Sequence, residues 1–394
     1  ATGDPKLAWN LIGFAIRMAQ SLGLHLKTQG QHAYSRKRRE TARKLWHSAI
    51  IMERMIALQV GIAPQTTNPF RVPFPTHLDT DYVDAVSGGS FIADVERPSM
   101  VEFLTACARL YAHVEDILTI ESELRIRQDG CAAKKLWSLD TTVFFKADGS
   151  LCDWNSSLPS FLQKSASGES LNDPIIRRQR NICRIRYLHI RLRLYRPFLI
   201  LALALSAKCN CKPGGTVHLS GNEPISPDSP AALTLVRDTS YKCVAAALEM
   251  VDILKACNHG LSANSYGQHR PEMSSIPSFW ENVDYLYACG IVLLATRLCP
   301  LFSGQVNTRK IGEGWSNLLD ILEDYERIYR SKGIKNVAAS CLRTLKTLSM
   351  AVKSPAAATD MTAAFGDGTR TRVFQRIGVE APAQSRARRS SGLT

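Results

Sequence analysis

Between Trp9 and Leu24 apolar residues recur at helical spacing. Leu11, Ala15, Met18 and Leu22 form one stripe, and Trp9, Ile12 and Ile16 widen it over most of the circumference. A helix apolar nearly all round is expected to be buried. Gly23 follows the last periodic residue, in place for a left-handed C-terminal cap, with Leu24 to close the accompanying apolar contact. A second helical pattern runs from Arg36 to Val60, with Leu45, Trp46, Ala49, Ile50, Ile56, Ala57 and Val60 on its apolar side and Gly61 and Pro64 as its stop. Its front end is basic (Arg36, Lys37, Arg38, Arg39, Arg43, Lys44), a placement that opposes the helix dipole and reads first as a solvated face.

Prolines 64, 69, 73, 75 and 98 and the Gly88-Gly89 pair exclude regular structure over most of residues 61–98. A connection this long is expected to be pinned across a surface or to be functional. Ser99-Met100-Val101-Glu102 is a capping-box pattern, which predicts one helix through about Arg127. Leu151, Trp154, Leu158, Pro159 and Leu162 read as a short turn-rich segment. A long helix is predicted from Pro174 to Ala207, where Ile182, Ile185, Leu188, Leu192 and Leu199 alternate with arginines and Pro197 is expected to introduce a kink. Further helices are expected over Ala231–Leu254, Phe279–Leu298, Trp315–Arg330 and Asn336–Val352. No strand pair or hairpin signal competes, so the fold class is all-α, a multi-helix body.

The order of these segments is itself informative. Ile16-Arg17-Met18-Ala19 with Leu22-Gly23-Leu24-His25, then Arg43-Lys44-Leu45-Trp46, then Glu53-Arg54 and a carboxylate-bearing loop, resembles the middle regulatory region of fungal zinc-cluster transcription factors. Trp154 with Leu158-Pro159, the stretch Tyr187 to Leu199 containing Tyr195-Arg196-Pro197, and Cys243-Val244-Ala245-Ala246-Ala247 resemble later elements of that family. The chain departs from the pattern at Leu26-Lys27 and at Gly61-Ile62-Ala63. The resemblance implies a helical regulatory domain over residues 1–352, followed by a disordered basic tail over 353–394 that carries Arg370, Arg372, Arg376, Arg386, Arg388 and Arg389. It also implies a zinc-cluster DNA-binding module upstream, which the first residues do not contain; truncation and real loss are both open.

Composition agrees with a folded protein: 394 residues, 45% of them hydrophobic, can bury one large core or two smaller ones. A net charge of +14 favours acidic partners without choosing among nucleic acid, anionic membrane and acidic protein. Eleven cysteines, odd in number and mostly inside apolar helical patterns, read as reduced buried thiols of an intracellular protein. No secretory signal opens the chain, and the apolar run from Pro197 to Ala207 is about half the roughly 20 residues a membrane span requires.

The candidate chemistry is sparse. The family's zinc cluster uses six cysteines opening with C-x-x-C, which this sequence lacks, and Cys209-Asn210-Cys211 is too tightly spaced to replace it. Asp79, Asp81 and Asp84 are more economically a solvated loop than a cation site, and His113-Val114-Glu115-Asp116 surface or core positions rather than an acid–base set. No catalytic, cofactor-binding or metal residue is assigned; zinc is expected only in the upstream module. The arginines at 177, 178, 180, 184, 186, 191, 193 and 196 lie all round their helix, which favours internal ion pairs over a phosphate-binding face. Arg54, His189, Tyr195 and Arg196 are the candidate site residues, as helix-crossing anchors or as the lining of an effector cavity.

The resemblance therefore implies an effector-responsive transcriptional regulator of secondary metabolism, located in the nucleus, or in the cytoplasm if the DNA-binding module is absent. Its partners would be a small-molecule effector, the transcription machinery or a second regulator, DNA through the missing module only, and a second copy in a homodimer. The alternative is a DNA-binding-deficient relative repurposed as a small-molecule binding protein or a cofactor-free cyclase or isomerase of a biosynthetic pathway.

Overall fold

In the computed structural model, residues 5–26, 35–76, 99–123, 141–164, 173–209, 230–262, 279–299, 307–331 and 337–353 are described. They form α1 (Pro5–Ser21), α2 (Arg36–Val60), α3 (Met100–Tyr111), α4 (Val114–Glu123), α5 (Thr141–Ser156), α6 (Pro174–Cys209), α7 (Pro230–Ser262), α8 (Phe279–Leu298), α9 (Thr308–Ser331) and α10 (Val337–Lys353). Single 3₁₀ turns at Pro69–Arg71 and Ser160–Leu162 join them. Among the described residues there is no strand, so the chain is all-α. Asp79, Asp81, Asp84, Cys211 and the basic tail lie outside the described residues.

The 36-residue helix α6 is the axis of the body. It packs most extensively on α7 and also touches α3, α4, α5 and α8, while α8 and α9 pack on α7 and on one another, and α10 packs on α8 and α9. Being surrounded explains its sequence: Cys183, Ile185, Ile190, Leu192, Leu194 and Tyr195 are all fully buried although they share no single face. Each such aliphatic side chain contributes about 1.5–3 kcal/mol on burial. The helix runs through Pro197 and ends at Cys209, two residues beyond the expected Ala207.

Helix α2 ends as its sequence predicts. Gly61 adopts φ 73°, ψ 31°, and its amide donates to the Ala57 carbonyl. Because a Cβ is strained in that region, Gly61→Ala is expected to lower the unfolding free energy by about 1 kcal/mol, read as a shift of the denaturant midpoint.

Four expectations are corrected. Helix α1 is not buried all round: only Ile12, Ile16 and Ala19 are, against α2, whereas Leu11, Met18 and Leu22 are exposed. The physical reason is that one neighbouring helix covers about a third of a circumference, and α1 leans chiefly on α2. The helix begun at Ser99 breaks at Ala112-His113 instead of running to Arg127, tightening so that His113 N donates to the Leu110 carbonyl. Neither glycine nor proline marks that break; it lets Leu110 and Tyr111 before it and Val114 and Ile117 after it all reach the core.

The segment around Leu151 and Trp154 is not turn-rich but the end of helix α5. Phe144, Ala147, Leu151 and Trp154, spaced at 3, 4 and 3, are its buried face, and Asp148-Gly149-Ser150 falls within the helix although it reads as a turn. Finally, α9 starts at Thr308, a full two turns before Trp315. Gly314 weakens the sequence signal there and is needed for packing, since a Cβ would lie 2.6 Å from Leu248 Cδ2 of α7.

Candidate functional site

Ionic and hydrogen-bonding residues of α2 clasp the chain that follows it. Glu40 Oε2 accepts from Thr76 N at 2.8 Å, Trp46 Nε1 donates to the Pro69 carbonyl at 2.9 Å, and His47 Nε2 lies 3.2 Å from the Pro73 carbonyl. The His47 ring stacks on Phe74 with centroids 4.9 Å apart. Burial lowers the His47 pKa, so the ring is held neutral.

Glu53 and Arg54 complete the clasp. Glu53 Oε1 accepts from the amides of Gln65 and Thr66 and from Thr66 Oγ1, each at 3.0 Å. Its other oxygen accepts from Arg54 Nη1 at 2.6 Å, while Arg54 Nη2 donates to the Thr66 carbonyl at 2.9 Å and lies 3.6 Å from Glu115 of α4. Arg54 is 1% exposed; burial lowers its pKa, opposed by Glu53 and then Glu115. The segment after α2 is thus pinned across the surface, and Arg54 ties α2, that segment and α4 together.

Five of the arginines of α6, Arg184, Arg186, Arg191, Arg193 and Arg196, pair with carboxylates inside the body. Arg184 grips Glu249 of α7 with Nε at 2.8 Å and Nη2 at 2.9 Å. Arg186 reaches Glu281 of α8 at 3.1 Å and the Cys107 thiol of α3 at 3.5 Å. A hydrogen bond from Cys183, with Arg186 nearby, holds the Cys107 thiol at about 7 despite burial, while Cys183 is pushed upward. Arg193 and Arg196 converge on the two oxygens of Glu121 in α4, at 2.5 and 2.9 Å. Tyr195 donates to Asp148 of α5 and accepts from Arg191, with Lys242 of α7 3.2 Å from the same carboxylate. These charge-assisted bonds join α6 to every neighbour it packs against.

His189 is 5% exposed and lies 4.8 Å, centroid to centroid, from Tyr285 of α8. Burial first, then Arg193 and Arg196, push its pKa from 6.5 down to about 3. The unfolded chain takes up a proton near pH 6.5 that the folded chain refuses until about pH 3. Stability from this group is therefore complete above pH 6.5 and lost as pH falls below it, by at most about 1.4 kcal/mol per pH unit. His189→Phe is expected to flatten this part of the dependence, measured as the difference in denaturant midpoints between pH 7 and about 4.

The four candidate positions thus fall in two places: Arg54 in the α2 clasp, and His189, Tyr195 and Arg196 along α6. Sequence reading missed the carboxylates that α6 pairs with, Glu121, Asp148, Glu249 and Glu281, which come from four different helices; no spacing in the chain connects them to α6. His113 is half-buried with its pKa lowered by burial, and Glu115 is the clasp's outer carboxylate. Among the described residues, no three His, Cys, Asp or Glu side chains are grouped to hold a metal ion, and no helix is long and apolar enough to cross a membrane. Cys107, Cys183, Cys243, Cys289, Cys299 and Cys341 are free and buried, Cys257 is half-buried and Cys152 exposed.

Residues 1–145 match the family described as fungal specific transcription factor domain, a span running from α1 into α5 and including the whole α2 clasp. The chain is similar to the sorbicillinoid biosynthetic cluster transcription factor 2 of Penicillium rubens, 22% identical over 350 residues. That alignment covers 88% of this chain and 44% of the relative, so the chain spans under half of the relative's length. No solved structure matches. The first 145 residues are thus similar to the fungal specific transcription factor domain family.

Proposed function

We propose that this chain is the helical regulatory part of a transcriptional regulator, acting in the nucleus on genes of a biosynthetic cluster. The observation that carries the reading is the family match over residues 1–145, which falls on the helices that Trp46, Glu53 and Arg54 tie to their following segment. The similarity to a biosynthetic-cluster transcription factor supports the choice of target genes. In this reading the helical body continues beyond the match through α10, and Arg54, His189, Tyr195 and Arg196 are anchors at helix crossings. DNA contact, with its zinc, belongs to a separate module of the protein, and a small molecule or a second regulator sets the output.

Tethering tests it. The chain fused to an unrelated DNA-binding module is expected to change transcription of a reporter carrying that module's site, relative to the module alone. Reporter output equal to that of the module alone, with the fusion folded and present in the nucleus, contradicts the reading.

A further inference from the structure

The α1–α2 hairpin carries a surface that its own packing does not use. Leu7, Leu11, Phe14, Met18 and Leu22, at helical spacing, are between 44% and 71% exposed. Contacts of Trp9 and Ile12 with Ile56 and Val60 at one end, and of Ala19 and Leu24 with Trp46 and Ile50 at the other, make the two helices antiparallel. On α1 the exposed ridge lies about 100° of rotation before the contact positions Ile12 and Ala19. On α2, Leu45 and Met52, 57% and 52% exposed, precede the contact positions Ala49 and Ile56 by one turn and lean to the same side. Antiparallel packing brings these two sides to one edge of the hairpin. Gly13, on the opposite side of α1, faces Gln65 and the clasped segment. The apolar edge is therefore the outer one, an apolar shelf two helices wide.

Charge identifies what fits it. Between Pro5 and Ser21 there is no acidic residue, and the only acids of α2, Glu40 and Glu53, are 4% and 2% exposed and bonded inward. The hairpin's exposed charges are all cationic: Lys6, Arg17, Arg36, Lys37 and Arg38. Arg36, Lys37 and Arg38 gather at the start of α2, which antiparallel packing places beside the Leu22 end of the ridge. A membrane surface is served best by cations along the whole length of an apolar face, whereas here three of the five gather at one end. A second copy would bring two such clusters into one interface. An apolar ridge with a cationic end suits a helix apolar on one side and acidic on the other.

We propose that this edge is the docking site for an acidic amphipathic helix of a separate protein partner. Its apolar side rests on Leu11, Met18 and Leu22, and its carboxylates meet Arg36, Lys37 and Arg38.

The test is fluorescence anisotropy on the full chain with a labelled helical peptide of about 20 residues, leucine and phenylalanine on one face and glutamate on the other. The glutamate peptide is expected to bind at least about tenfold more tightly than the same peptide with lysine for glutamate, and to weaken about tenfold between low and moderate salt. Leu11→Glu with Met18→Glu, and separately Arg36→Glu with Arg38→Glu, should each weaken it at least about tenfold. The second pair improves the charge at a helix start, and unchanged helical circular dichroism of that variant shows that it acts without unfolding. Leu11→Ser with Met18→Ser serves if the first pair loses helical circular dichroism. Equal affinity for both peptides, or none for either at about 1 mM, overturns the proposal. So does binding to phosphatidylserine vesicles in place of the peptide, or a dimer in sedimentation that the Leu11 and Met18 substitutions dissolve.

Discussion

Replacing Arg54 by alanine is expected to lower the unfolding free energy by about 3–5 kcal/mol, measured by urea denaturation followed by circular dichroism. The substitution leaves the Glu53 carboxylate 2% exposed with its strongest partner gone, and opens the Thr66 carbonyl and the contact to Glu115. Exposed ion pairs of the same geometry are worth about a tenth to a third of that. Glu53→Ala should cost a similar amount, because three donors from Gln65 and Thr66 lose their acceptor. The double substitution should cost clearly less than the sum, since each single variant already breaks the shared bond at 2.6 Å. Amide exchange in residues 65–76 should speed up before that of α6, because the clasp holds that segment while α6 is held by other pairs. Additivity of the two substitutions would show that Glu53 and Arg54 act separately.

The second large effect lies at Glu121. Both Arg193 and Arg196 donate to this one carboxylate, which is itself 8% exposed. Glu121→Ala removes the acceptor and leaves two neighbouring guanidinium groups that repel one another within the body, and about 3–5 kcal/mol is again expected. Glu121→Gln keeps an acceptor but not the charge, and should fall between alanine and the natural residue. Added salt should restore little, because buried charges are poorly screened. Full recovery of stability in about 1 M salt would place the cluster in solvent instead, against the buried arrangement described above.

These two clusters show what a sequence can and cannot disclose. The pair Glu53-Arg54 was legible because neighbouring residues at a fixed place in a known order drew attention to it. Glu121 was not: it sits in a helix 72 residues before Arg193, and nothing in local spacing links them. The arginines of α6 were readable as internal because they encircle the helix, yet their four carboxylate partners became visible only in three dimensions. Helix boundaries followed the same division. Gly61 and Ser99 announce their caps through local chemistry, and the structure uses both. The break at Ala112-His113 and the helical course through Gly149 and Gly314 are tertiary outcomes, decided by which side chains reach the core. Burial of α1 was overestimated because composition says how apolar a helix is, not how many neighbours will cover it.

The clasp and the α6 pairs also bear on function. Each uses its polar groups to hold helices together: Arg54 bonds to the pinned segment, and Tyr195 and Arg196 bond to carboxylates of neighbouring helices. That is the chemistry of a rigid body whose output depends on what docks to it, in keeping with a regulatory role.

RNA abundance in the source organism, with the gene deleted and then restored, measures the central claim most directly. The account predicts that a defined group of transcripts shifts on deletion and returns on restoration, and that the Arg54→Ala form fails to restore them in proportion to its lost stability. Unchanged transcripts, together with accumulation of a metabolite that the purified chain converts, would contradict it.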